Sequence, residues 1–138
     1  MNNLHTVHLK TPLGIAEIHG NEAGISKIVI TGGKSVPTEE IPSELNEAVL
    51  QLEAYFKGEL KEFDLKLNPE GTPFQKKVWE ALQEIPYAQT CSYLELSKKL
   101  GDVKVIRAVA AANGKNPLWI VIPCHRVIGS DGSLTGYA

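Results

Sequence analysis

Ser92-Tyr-Leu-Glu95-Leu-Ser-Lys-Lys-Leu-Gly101-Asp-Val-Lys-Val-Ile-Arg107-Ala-Val-Ala-Ala-Ala112-Asn-Gly114 is the stretch whose reading decides the fold. Ser92 with Glu95 forms a capping box, so a short helix opens there, and Gly101 closes it. After Asp102 a second helix is expected over Val103–Ala112, closed by Asn113-Gly114. Two short helices separated by a turn containing Gly match the helix-turn-helix pattern, with the second as the recognition helix. Arg107 lies in that helix among Ala108, Ala110, Ala111 and Ala112. Small side chains let a helix approach a duplex closely, and one arginine can then reach the base stack or a phosphate. Taken alone, a surface arginine beside an alanine-rich packing face is the commoner arrangement.

Upstream of this pair, Thr72, Pro73 and Gln75 supply an N-cap, a proline at the first helical position and a capping-box glutamine. Phe74, Val78, Trp79 and Leu82 fall on one stripe, and Pro86 ends the helix. Downstream, Trp119-Ile-Val-Ile122 is an unbroken run of β-formers and is read as a buried strand. It leads into Pro123-Cys124-His125-Arg126-Val127 and then into the Gly-rich stretch Gly129–Ala138.

The first half has a different texture. Thr6–Lys10 and Gly14–His19 alternate around Thr-Pro-Leu-Gly and read as a hairpin, with Gly24–Ile30 as a third strand. Thr31–Pro42 is a loop. Ser43 is expected to cap a helix running to Lys57, with Leu45, Ala48, Val49, Leu52, Tyr55 and Phe56 at helical spacing. Phe63-Asp-Leu-Lys-Leu67 alternates again and is expected to rejoin the sheet. Asn68-Pro-Glu-Gly71 reads as a linker, so the domains are placed at 1–70 and 71–138.

Charge divides at the same place. Residues 1–70 carry 6 Lys/Arg and 11 Asp/Glu, while residues 71–138 carry 8 and 5, so an overall −2 hides an acidic half and a basic half. Such asymmetry is a weak hint of a nucleic-acid-facing region. With 43% hydrophobic and 22% charged residues the composition is that of a soluble globular protein. The polar, mixed N-terminus is not a secretory signal, and no apolar run has the length of a membrane span. Two cysteines make no disulfide framework and suit a reducing cytoplasm, or a nucleus if the source is eukaryotic.

Cys124 is the chief candidate for chemistry. A thiol is nucleophilic as thiolate, which a nearby histidine or positive charge favours, and His125 and Arg126 follow directly. Neighbours in an extended chain point to opposite sides, so His125 would reach the sulfur only after a bend or through a water. A small buried core residue is the competing reading of Cys124. Cys91 has no basic neighbour before Lys98 and is read as structural. Asn116 would hold the Asn113–Pro117 loop through backbone hydrogen bonds. Tyr93 and Tyr137 are candidates for base or phosphate contacts. His5, His8 and His19 lack partners at zinc-like spacing, so no metal site is expected.

The Pro123–Val127 string, preceded by Asn116-Pro117 and an apolar run, resembles the signature of the O6-alkylguanine-DNA alkyltransferases. Thr72-Pro-Phe-Gln75 with Val78-Trp79, Ile85-Pro86-Tyr87, Ser92-Tyr93 and Arg107-Ala-Val109 resemble that family in order and spacing. The resemblance covers about residues 70–138; residues 1–67 are similar only in general pattern. It implies an α/β (α+β) protein, with an N-terminal ribonuclease-H-like α/β domain joined to a C-terminal winged helix-turn-helix. It implies single-use DNA repair: base flipping, then transfer of the alkyl group from O6-alkylguanine, and from O4-alkylthymine, to Cys124. His125 would be the general base through a water. Arg107 would fill the gap left by the flipped base, with Ala108, Ala111 and Arg126 also facing DNA. Tyr93 would contact a phosphate and the guanine edge. Val127, Tyr137 and Ala138 would line the base pocket, and Asn116 would be the hinge. The implied partner is double-stranded DNA carrying the lesion, met by a monomer without cofactor, metal or membrane.

The family's pattern continues past Gly-Tyr-Ala into a helix bearing a glutamate that completes a Cys–water–His–Glu relay. The sequence stops at Ala138, so no residue is assigned that role, and weaker thiolate formation is expected. A protein that flips and holds the lesion without transferring anything is the second reading; relatives of that kind carry another residue where Cys124 stands. A cysteine hydrolase would need an oxyanion hole and a residue orienting the histidine, and neither is found.

Overall fold

The computed structural model describes residues 4–33 and 35–128, with the side chains of Val103 and His125 excepted. The chain divides into two compact units at Pro69/Glu70.

In the first unit, β1 (His5–Thr11), β2 (Gly14–Asn21) and β3 (Gly24–Thr31) form an antiparallel meander. The register runs from His5↔Gly20 to Thr11↔Gly14, and from Ile15↔Thr31 to Asn21↔Gly24 with a bulge at His19/Gly20. Alternation decides the faces: Val7, Ala16, Ile18, Ile25 and Ile28 point inward and are buried. Helix α1 (Ser43–Phe56) covers that face with Leu45, Ala48, Val49 and Leu52. The opposite face of β1 and β2 carries His8, Glu17 and His19. There His19 Nε2 sits 2.7 Å and His8 Nε2 4.0 Å from the Glu17 carboxylate.

Two sequence expectations need correction. Ser43 does not cap α1; it is the first helical residue, Pro42 precedes it, and no side chain caps that end. Phe63–Leu67 does not form a strand; it touches the sheet through one parallel bridge, Ile25↔Leu67. Its backbone bonds run from Ile25 N to Lys66 O and from Asn68 N to Ile25 O, both 2.8 Å. Gly24, at φ +132°, permits this approach, since a Cβ there would lie 2.8 Å from Lys66 O.

In the second unit, α2 (Pro73–Leu82) and α3 (Tyr93–Lys99) both begin with complete capping boxes, Thr72/Gln75 and Ser92/Glu95. The expected continuous helix from Val103 is instead a 3₁₀ turn, Val103–Val105, followed by α4 (Ile106–Gly114). Asp102 starts that turn by accepting a bond from Lys104 N at 2.8 Å. Val78, Trp79, Leu82, Leu96, Val109 and Ala112 are buried between the three helices. Trp79 donates its indole N–H to Ala112 O at 2.9 Å, which fixes α2 against α4. A two-stranded parallel sheet completes the described part, β4 (Cys91–Ser92) pairing with β5 (Val127–Ile128).

Trp119–Ile122 is not a strand. The segment is coiled into tight turns, with Val121 N on Trp119 O at 2.8 Å, Ile122 N on Leu118 O at 2.9 Å and Cys124 N on Ile122 O at 2.8 Å. Ile120 stands at φ +71°, unusual for a β-branched residue. Burial is borne out for only half of the run: Val121 and Ile122 are buried, while Trp119 is 38% exposed and Ile120 is half-buried. An apolar run fixes neither the burial of each of its residues nor the backbone conformation that carries them.

Candidate functional site

Asn116 makes the coiled segment possible. It is buried, its Oδ1 accepts from Leu118 N at 2.9 Å, and its Nδ2 donates to Ile122 O at 2.8 Å and Leu118 O at 3.3 Å. Backbone groups taken out of water need partners, and here one amide side chain serves three of them. Its own N–H bonds Asn113 O at 3.3 Å, so the end of α4 and the turns are joined through one residue.

The turns deliver Cys124 at the start of a second 3₁₀ turn, Cys124–Arg126, partly exposed. The backbone at Cys124 is thus turned rather than extended. The His125 side chain lies outside the described set, as do Tyr137 and Ala138. Val127 is buried in β5 and paired with Cys91. Cys91 itself is buried, and burial pushes its thiol pKa up, which disfavours thiolate there. The two thiols are therefore in different environments.

Tyr93 begins α3 and is buried, with 4% of its surface exposed. Its hydroxyl accepts from Asn113 Nδ2 at 3.2 Å. Burial pushes the phenol pKa up, the Asn113 bond opposes this, and nearby Cys124 raises it further. Arg126, expected to face DNA, is engaged inside the unit. Its Nη1 donates to Ile85 O at 2.6 Å, and its guanidinium lies 5.7 Å from the centre of the Tyr87 ring. This ties the loop after α2 to the cysteine turn, a structural duty that the sequence does not announce.

Arg107, Ala108 and Ala111 are exposed, and Lys104 precedes them on the same side, while Val109, Ala112 and Asn113 face inward. Asn113 is the residue that sequence reasoning passed over, treating it only as a helix terminator. Its spacing held a signal: it falls four residues after buried Val109, a polar group on the apolar face. Among the described residues no group of three or more His, Cys, Asp or Glu side chains is placed to hold a metal ion. No described helix is long and apolar enough to cross a membrane.

A helix-turn-helix with a small, basic outer face, and behind it a polar-braced turn presenting a partly exposed thiol, is the arrangement of a DNA-binding unit with a candidate nucleophile. Residues 73–138 match the 6-O-methylguanine DNA methyltransferase, DNA binding domain, and residues 4–69 match the ribonuclease-like domain of the same family. The methylated-DNA–protein-cysteine methyltransferase of Methanosarcina barkeri is 50% identical over 94% of this chain and 85% of its own length. The constitutive enzyme of that name from Bacillus subtilis is 43% identical over 94% and 83%. The crystal structure of Mycobacterium tuberculosis O6-methylguanine methyltransferase, 41% identical, superposes with a TM-score of 0.85 over 99% of this chain and 85% of that one. The Mycobacterium tuberculosis OGT structure in complex with DNA, 42% identical, gives 0.84 over 96% and 84%. The chain belongs to the 6-O-methylguanine DNA methyltransferase family.

Proposed function

We propose that this protein repairs DNA by taking the methyl group from O6-methylguanine, or a related O6-alkyl or O4-alkylthymine lesion, onto Cys124. The observation that carries the reading is the placement of Cys124. A partly exposed thiol stands on a turn braced by Asn116, next to a helix whose outer face bears Arg107 and alanines.

An alkyl carbon stacked inside a duplex is out of reach of a protein thiol, so the base must leave the stack. Ala108 and Ala111 allow α4 close to the groove, and Arg107 occupies the gap. His125 takes the thiol proton through a water. The Cys124 sulfur then bonds to the methyl carbon while the carbon–O6 bond breaks. The electron pair stays on the guanine oxygen, and the ring takes up a proton at N1 to give ordinary guanine. The thioether is stable and no group among the described residues is placed to remove it, so each molecule acts once, as a monomer, in the cell's reducing compartment.

The test is the mass of the Cys124 peptide after incubation with a duplex containing O6-methylguanine. A gain of one methyl group at that peptide supports the reading. Unchanged mass with retained lesion binding would assign the chain to the binding-only alternative.

A further inference from the structure

Asn113 lies in the last turn of α4, 1% exposed, and its Nδ2 reaches two acceptors at once. One is the Tyr93 hydroxyl oxygen at 3.2 Å and the other is the backbone carbonyl of Cys124 at 3.3 Å. A carbonyl can only accept, so the Cys124 contact fixes which end of the amide faces it. The same amide hydrogens then occupy a lone pair of the Tyr93 oxygen and turn its O–H away from Asn113.

The other end of the side chain is costly to the fold. Asn113 Oδ1 is buried without a hydrogen-bond partner among the described residues. A leucine of similar size would pack at this apolar face without stranding a polar atom. The amide is thus retained against the interest of packing, and what it gains is two bonds to groups at the thiol.

We infer that Asn113 is a positioning residue for alkyl transfer: it holds the Cys124 turn to the DNA-facing helix and sets Tyr93 as a hydrogen-bond donor toward the base. The inference rests on the methyl-transfer reading for its purpose, but its geometry can be tested apart from that reading. It assigns α4 two duties on opposite faces, with Arg107, Ala108 and Ala111 outward and Asn113 inward. Contact with DNA on one face and the thiol on the other are then linked through a single helical turn.

The experiment uses the full chain with Asn113→Leu, Asn113→Asp, Tyr93→Phe and the Asn113→Leu/Tyr93→Phe pair. The first readout is the ionisation of Tyr93, followed as the 295 nm phenolate absorbance present in a protein with Tyr93 and missing from its Tyr93→Phe counterpart. Loss of the amide donor should move that titration to higher pH in Asn113→Leu, and in Asn113→Asp as well, since a carboxylate reverses the bond. The second readout is the rate of methyl transfer from an O6-methylguanine duplex. Asn113→Leu should slow it about tenfold, the scale of one hydrogen bond. The double variant should be slower than Tyr93→Phe by clearly less than Asn113→Leu is slower than the parent, because part of what Asn113 does passes through Tyr93. A general packing role would instead make the two losses multiply, and that result overturns the inference. An unmoved Tyr93 titration in both Asn113 variants overturns it too. If the parent protein transfers no methyl group, the functional reading fails, and the titration alone decides whether Asn113 governs Tyr93.

Discussion

The two units of this chain are held together by different means. Residues 4–69 rely on repetition: three strands in register, an alternating inner face, and a helix laying four apolar residues over it. Its polar groups stay at the margin, as with Glu17 against His8 and His19 on the outer face. The second unit places polar side chains inside. Asn116 replaces a sheet's worth of backbone partners, Asn113 reaches the cysteine carbonyl, and Trp79 bonds across helices. Periodic structure needs no individual residue to be indispensable, whereas an irregular turn depends on the few groups that satisfy it.

The sharpest way to test this division is chemical. Cys124→Ala should abolish alkyl transfer while leaving binding to lesion-containing DNA intact, as measured by peptide mass and by gel shift. Transfer that survives would move the chemistry to another residue. Arg107→Ala should slow transfer from duplex DNA by roughly thirtyfold, the rate equivalent of about 2 kcal/mol. Reactivity toward free O6-benzylguanine, which needs no flipping, should stay near the parent level. Equal losses in both assays would remove the arginine from the flipping step.

Stability separates the units next. Leu52→Ala opens a cavity under the sheet and should cost about 3–4 kcal/mol, read by amide hydrogen exchange in β2 and α1. Asn116→Ala strands buried backbone groups and should cost about 3 kcal/mol, nearly as much as a core leucine. Both tryptophans, Trp79 and Trp119, lie in the second unit, so their fluorescence during denaturation reports it. A loss below about 1 kcal/mol would mean that the turns stand without their polar brace.

The smallest expected effect is in the first unit's polar cluster. The His19 hydrogen bond holds the Glu17 carboxyl below the usual glutamate range. A depressed folded-state pKa contributes stability above the unfolded value, about 4.3, and that contribution is lost as pH falls through the lower folded value. Glu17→Gln should therefore remove that small contribution near neutrality and change nothing below the folded value, which slightly flattens the acid limb of a denaturation curve. A large loss at pH 7 would show that the sheet's outer face is also held by polar bonds.

Legibility in the sequence follows the same division. The hairpin, the third strand, α1 and both capping boxes are visible because each depends on residues within a few positions of one another. Trp119–Ile122 misleads because its conformation is set by Asn116 reaching forward to Leu118 and Ile122, which no propensity of the run itself records. Phe63–Leu67 misleads in a similar way: its alternation suits a strand, but among the described residues its bridge to the sheet is at Ile25 alone, and the Gln51 side chain takes the backbone groups of Asp64. At the site, Cys124 and the outward Arg107, Ala108 and Ala111 are legible. Arg126 bonds to Ile85 O instead of facing outward, and Asn113 reads locally as a helix end although it reaches the Cys124 carbonyl.

The sequence by itself determined the family and picked out Cys124 and the helix of Arg107 as candidates, because these lie in ordered motifs and local periodicity. The tertiary structure alone decided how the thiol is presented. Buried amides find carbonyls and a phenol from other elements, and the pairing of buried polar groups depends on who is near in space, which a chain read one window at a time does not contain.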